Sequence, residues 1–157
     1  YVATTGERNP ELYHTILDGT NLNTTLLTQS SAFKDTTYFD GLILQNASHT
    51  SAGGAVVLKA KGVLRNATIR NCYTEGNAGG VSNAGGVVSC CIIELCEAIG
   101  SGGAVHNMGG VVENTIIRAC KVYYAAICNV SQGIVRYCAF RYYQVSYQRQ
   151  LLPVLYP

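Results

Sequence analysis

Gly62–Cys72 reads GVLRNATIRNC, Gly86–Cys96 reads GVVSCCIIELC, Gly110–Cys120 reads GVVENTIIRAC, and Gly133–Tyr143 reads GIVRYCAFRYY. The segments align without gaps, and their starts lie 24, 24 and 23 residues apart. Self-similarity at such a period marks a solenoid, whose repeats bury their apolar edges only against one another. Within a unit the apolar residues alternate, as in Leu64, Ala67 and Ile69, or Val88, Cys91 and Ile93. Alternation at period two specifies strand, and no segment carries a capped 3.6-residue period. A 24-residue unit broken by several turns makes one triangular coil of a parallel β-helix.

Two further copies lie upstream, FDGLILQNA from Phe39 and LDGTNLN from Leu17. One apolar column then runs Leu17, Phe39, Leu64, Val88, Val112 and Val135. A second runs Leu22, Leu44, Ile69, Ile93, Ile117 and Phe140. The other half of the repeat reads GGAVVL from Gly53, AGGVSN from Ala78, GGAVHN from Gly102 and YAAICN from Tyr124. It supplies an inward column, Val56, Val81, Val105 and Ile127, and an amide column, Asn83, Asn107 and Asn129. Gly and Asn mark corners, where left-handed or cramped backbone is needed. Outward columns place Arg70, Glu94, Arg118 and Arg141 in one line and Arg65, Ser89, Glu113 and Arg136 in another. Such a line is either a ladder of favourable neighbours or a solvated face that avoids like charge.

Composition agrees with this reading. The 157 residues are 48% hydrophobic and 13% charged, with net charge +2, 17 Gly and 3 Pro. Charge is about half the globular norm. No stretch concentrates Lys or Arg, which argues against nucleic acid as a partner. No apolar run approaches the ~20 residues that span a membrane.

The unit NATIRNC…AGGVSN, with CCIIELC…GGAVHN, ENTIIRAC…ICN and the openings TILDG and FDGLILQN, resembles the repeats of bacterial right-handed parallel β-helix proteins of the pectin-lyase-like superfamily. The GGAV tetrapeptides are similar to those of polymorphic outer-membrane-protein repeats, without that group's FxxN partner. The resemblance covers roughly residues 14–140. It implies an extracellular or bacterial cell-surface location. The expected fold is all-β, a right-handed parallel β-helix of about six coils with 22–25 residues per coil. The expected organisation is a single domain: residues 1–13 as lead-in or cap, 14–140 as coils, and 141–157 as a cap or a truncated continuation. A chain that begins at Tyr1 reads as a processed product or a fragment.

Enzymes of the resembled fold carry a carboxylate cluster, often with Ca²⁺, beside an Arg or Lys base. The one candidate pair here is Asp18 and Asp40, expected to stack in one column with Arg65 following. Two acids make a thin calcium site, and Asp in LDG and FDG turns commonly holds the turn itself. No metal or other cofactor is therefore expected. The seven Cys lack zinc spacing. Cys72, Cys96 and Cys120 form one column, and Cys91 and Cys138 share another. They read as small buried hydrophobes, with disulfides Cys72–Cys96 or Cys96–Cys120 as the alternative. His106 and Cys128 fall next to each other in the column Val57, Ser82, His106, Cys128, without a third group to orient the His. Four N-x-S/T sequons, at Asn23, Asn46, Asn66 and Asn129, are discounted because the resembled family is bacterial.

An outward column Thr68, Ile92, Ile116, Ala139 is apolar, which calls for a covering segment, a partner or a neighbouring subunit. Seven of the 11 Tyr fall between Tyr123 and Tyr156. Tyr123, Tyr124, Tyr137, Tyr142, Tyr143 and Tyr147 are the candidate binding residues, for a polysaccharide or another surface protein. The functional expectation is a non-enzymatic scaffold, adhesin-like or binding module. The alternatives are a polysaccharide lyase or hydrolase, and a structural subunit that associates end to end or through its apolar face.

Overall fold

The computed structural model describes residues 14–141 except Ala52, and the backbone of 144–145; the side chain of Val122 is not described. The expected lead-in over 1–13 and most of the expected C-terminal segment 141–157 lie outside the described residues; Arg141 and the backbone of Gln144–Val145 continue the strand stacks. Every strand pair is parallel, and the strands form four sheets. The first face stacks Leu27–Thr28, Val56–Lys59, Val81–Ala84, Val105–Met108 and Ile127–Val130. The second stacks Thr37–Asp40, Gly62–Arg65, Val87–Ser89, Val111–Glu113 and Ile134–Arg136. The third stacks Thr15–Asp18, Leu42–Gln45, Thr68–Arg70, Ile92–Glu94, Ile116–Arg118 and Ala139–Arg141. The fourth stacks Ser48–His49, Tyr73–Thr74, Glu97–Ala98, Lys121–Val122 and Gln144–Val145.

The chain is thus a parallel β-solenoid of about five turns, not six: the six strands of the third face, from Thr15–Asp18 to Ala139–Arg141, have five turns between them. Each turn also carries four short strands where a triangular coil was expected. Left-handed backbone recurs at all four corners, and the one between the third and fourth faces makes these separate sides. Gly41, Asn66, Cys90, Asn114 and Tyr137 have φ of 70°, 50°, 53°, 48° and 55° between the second and third faces. Asn46, Asn71, Leu95 and Ala119 have φ of 58°, 54°, 54° and 52° between the third and fourth. A single left-handed residue re-aims the strand without breaking the inward–outward alternation for long.

The columns are confirmed from the second repeat onward. Phe39, Leu64, Val88, Val112 and Val135 are vertical neighbours. Leu64, Val88, Val112, Ile69, Ile93 and Ile117 are fully buried. The first copy was misplaced. Leu17 stacks on Leu44 of the third face, 27 residues on, and not on Phe39. Leu22 is 52% exposed and lies outside the strands. LDG and FDG look alike because two different corners each accept Gly after an outward Asp.

The corner between the fourth and first faces is the most cramped. A Cβ on Gly54 would run into the carbonyl oxygen of Gly79, and one on Gly79 into that of Gly103. The glycine pairs of the repeat are therefore required by backbone packed on backbone.

Inside the first face an amide ladder runs vertically. Asn83 Nδ2 donates to Asn107 Oδ1 at 2.8 Å, and Asn107 Nδ2 donates to Asn129 Oδ1 at 2.7 Å. Each amide also donates to the carbonyl of the next corner: Gly86 at 3.1 Å, Gly110 at 2.9 Å and Gly133 at 2.7 Å. Asn83 and Asn107 have no solvent exposure. Gln29, buried at the top of the same column, bonds Lys59 N, Ser31 O and Ala60 O. Asn66 and Asn114 form no such ladder. Asn66 donates instead to Asp40 at 2.9 Å, and both are left-handed corner residues.

Asn107→Ala removes a buried rung and strands its neighbours, so it is expected to lower stability by about 2–3 kcal/mol in chemical denaturation. Leu95 is 54% exposed and left-handed where Asn71 sits one turn above. Leu95→Asn relieves that strain and is expected to raise stability by about 1 kcal/mol, read as a higher melting temperature.

Candidate functional site

The outward side of the solenoid is a set of vertical columns, and each candidate residue has a place in one. Asp18 and Asp40 are not stacked. Asp18 ends a third-face strand beside Gln45, and Asp40 ends a second-face strand beside Arg65. Asp18 accepts hydrogen bonds from Thr20 Oγ1 at 2.6 Å, Gln45 Nε2 at 2.7 Å, Asn46 Nδ2 at 3.1 Å and Thr20 N at 2.9 Å. These bonds, Thr20 foremost, hold its carboxyl well below the usual carboxylate range. Asp40 accepts from Arg65 and Asn66, each at 2.9 Å. Both acids therefore tie the opening turns together, and among the described residues no three His, Cys, Asp or Glu side chains converge on one point.

The charge columns are closed by ion pairs between turns. Arg118 meets Glu94 at 2.6 Å, Arg136 meets Glu113 at 2.7 Å, and Lys121 meets Glu97 at 3.3 Å. Arg70 donates to Gln45 Oε1 at 2.6 Å and 3.0 Å. With the cation about half-exposed to water, such a pair contributes little, about 0.2–1 kcal/mol. Its larger effect is to hold five of the described carboxylates (Asp18, Asp40, Glu94, Glu97 and Glu113) at fixed places along the stack.

Two apolar columns stand between these charges. On the third face Ile16, Ile43, Thr68, Ile92, Ile116 and Ala139 follow one another. On the second face Tyr38, Val63, Val87, Val111 and Ile134 do the same. The second column was missed from sequence, although the repeated second letter of GVLR, GVVS, GVVE and GIVR carries it. The members at the ends are the most exposed: Ile16 at 49%, Tyr38 at 55% and Ile134 at 48%. The Arg65–Ser89–Glu113–Arg136 column runs between the two.

The described tyrosines are separated. Tyr137 is 79% exposed at the corner between the second and third faces. Tyr123 and Tyr124, the latter 73% exposed, lie in the connection from the fourth face to the first, the opposite corner in the order of the turn. Tyr142, Tyr143 and Tyr147 lie outside the described residues.

All seven cysteines are free thiols. Cys72, Cys96 and Cys120 stack without solvent access, and each directs its sulfur to the carbonyl two residues before it. Cys96 is held protonated by its contacts with Cys120 and Cys72 and by burial. Burial pushes the Cys91 thiol up to about 12. On the first face His106 is the vertical neighbour of Cys128, as the spacing requires.

In the native protein, Ellman's reagent is expected to modify the exposed Cys90 quickly and the half-exposed Cys128 and Cys138 more slowly. Cys72, Cys91, Cys96 and Cys120 should react only after unfolding, so a trace of four or more fast thiols in folded protein counts against the stack.

No family model, characterised protein or solved structure matches the chain, so the functional reading rests on these columns.

Proposed function

We propose that the chain is a non-enzymatic, secreted or cell-surface module, a rigid scaffold that holds apolar columns on two adjoining faces against a polysaccharide or another surface protein. The observation that carries the reading is the pair of outward apolar columns, Tyr38–Val63–Val87–Val111–Ile134 and Ile16–Ile43–Thr68–Ile92–Ile116–Ala139, flanking a paired charge column. Exposed apolar rows bordered by polar residues are characteristic of contact surfaces. Parallel pairing at every level pre-organises that surface, so docking loses little conformational entropy. Five of the described carboxylates, the groups an enzyme of the resembled fold would gather, are distributed along the ladders and engaged there. The likeness of the repeats to bacterial pectin-lyase-like β-helices agrees with an extracellular setting and with membership of that superfamily, which we include in the proposal.

The test compares the wild type with the double variant Ile92→Lys, Ile116→Lys on immobilised pectate, alginate and cellulose and on an array of surface proteins. Retention of the wild type, its loss in the variant and no release of sugar are the expected results. Release of reducing or unsaturated sugar ends overturns the reading in favour of a polysaccharide hydrolase or lyase. A concentration-dependent dimer dissolved by the same substitutions assigns the face to a second copy instead.

A further inference from the structure

The first face carries a constellation that the scaffold reading does not use. Val105–Met108 and Ile127–Val130 pair in register, with His106 beside Cys128 and Met108 beside Val130. Val105 and Asn107 are fully buried, so His106 and Met108 both project outward from the same strand. Ile127 packs on the core and Asn129 bonds Asn107, so Cys128 projects outward from the next. Vertical neighbours are about 4.8 Å apart, and positions two apart on a strand about 6.6 Å. An imidazole, a thioether and a thiol thus occupy three adjacent outward positions, all half-buried, and Met108 is the only methionine of the chain.

The surroundings favour a soft ion. The column above holds Thr28, Val57 and Ser82, with no carboxylate among them. The corners leading into the first face lean over it. A Cβ on Gly53 would run into the Val57 side chain, and one on Gly102 into the backbone of Val105 and His106. Ser82, although outward, is only 7% exposed. The three donors therefore sit half-buried on one shelf, with one nitrogen, two sulfurs and no carboxylate in line.

We propose that His106, Met108 and Cys128 form a binding site for Cu(I). Thiolate and thioether donors select this ion over hard cations, and a three-coordinate N,S,S set satisfies it. On binding, the Cys128 thiol gives its proton to solvent, and the resulting thiolate donates an electron pair to the metal. The Met108 sulfur and a neutral His106 nitrogen donate the other two pairs. No electron changes hands, so no oxidant or reductant is consumed.

The test is anaerobic competition for Cu(I) between the reduced, folded protein and bathocuproine disulfonate, with X-ray absorption on the loaded protein. The wild type is expected to hold one Cu(I) with nitrogen and sulfur scatterers. Cys128→Ser and His106→Gln should each weaken binding at least about tenfold. Met108→Leu, which conserves shape and leaves the fold intact, should remove one sulfur from the spectrum. Cys90→Ser, at a distant corner, should change nothing. Retention of the ion by Cys128→Ser, its loss in Cys90→Ser, or a spectrum unaltered by Met108→Leu overturns the proposal.

Discussion

The structure depends on one constraint: in-register parallel pairing sets each residue about 4.8 Å from its counterpart one turn away. A position must therefore tolerate a near-copy of itself above and below. Inward, that is met by Leu, Val and Ile stacked on themselves with no solvent exposure. It is met equally by amides, because a carboxamide is donor and acceptor at once and can pass a hydrogen bond down the column. Asn83, Asn107 and Asn129 do this in a place where an unpaired polar group would be costly. Outward, a column of one charge would repel itself, and acid is paired with base from turn to turn: Asp40 over Arg65, Glu94 over Arg118, Glu113 over Arg136.

The corners obey the same rule in backbone terms. A left-handed residue in one turn requires a left-handed residue at the same level of the next, or the strands fall out of register. This explains why Cys90, Leu95, Ala119 and Tyr137, poor candidates for positive φ, are held there beneath asparagines that accept it readily. The cost is local, and the aligned hydrogen bonds on either side offset it. It also explains the free thiols. Where a column narrows at a corner, a small side chain with a weak donor satisfies a nearby carbonyl and fills the space, as Cys72, Cys96 and Cys120 do.

Any surface property of such a molecule comes as a line. Apolar lines on the second and third faces suit contact with an extended partner, whereas the His106–Met108–Cys128 shelf arises where the repeat is least regular. There the column changes from Val57 and Ser82 to groups with lone pairs.

The repeat period and the alternation inside it were enough to establish strands, parallel stacking, the Leu64 and Ile69 columns, the amide ladder and the adjacency of His106 and Cys128. Each follows from a fixed step in one dimension, which a string of letters records in full. Three things needed the folded chain. The register of Thr15–Asp18 depends on a long first loop, so Asp18 and Asp40 parted although their local sequences match. The four-sided turn depends on left-handed corners at Cys90, Leu95 and Ala119, which no Gly or Asn announces. The separation of Tyr137 from Tyr123 and Tyr124 depends on which corner each occupies, and distance around a turn, unlike distance along the stack, is not written in the period.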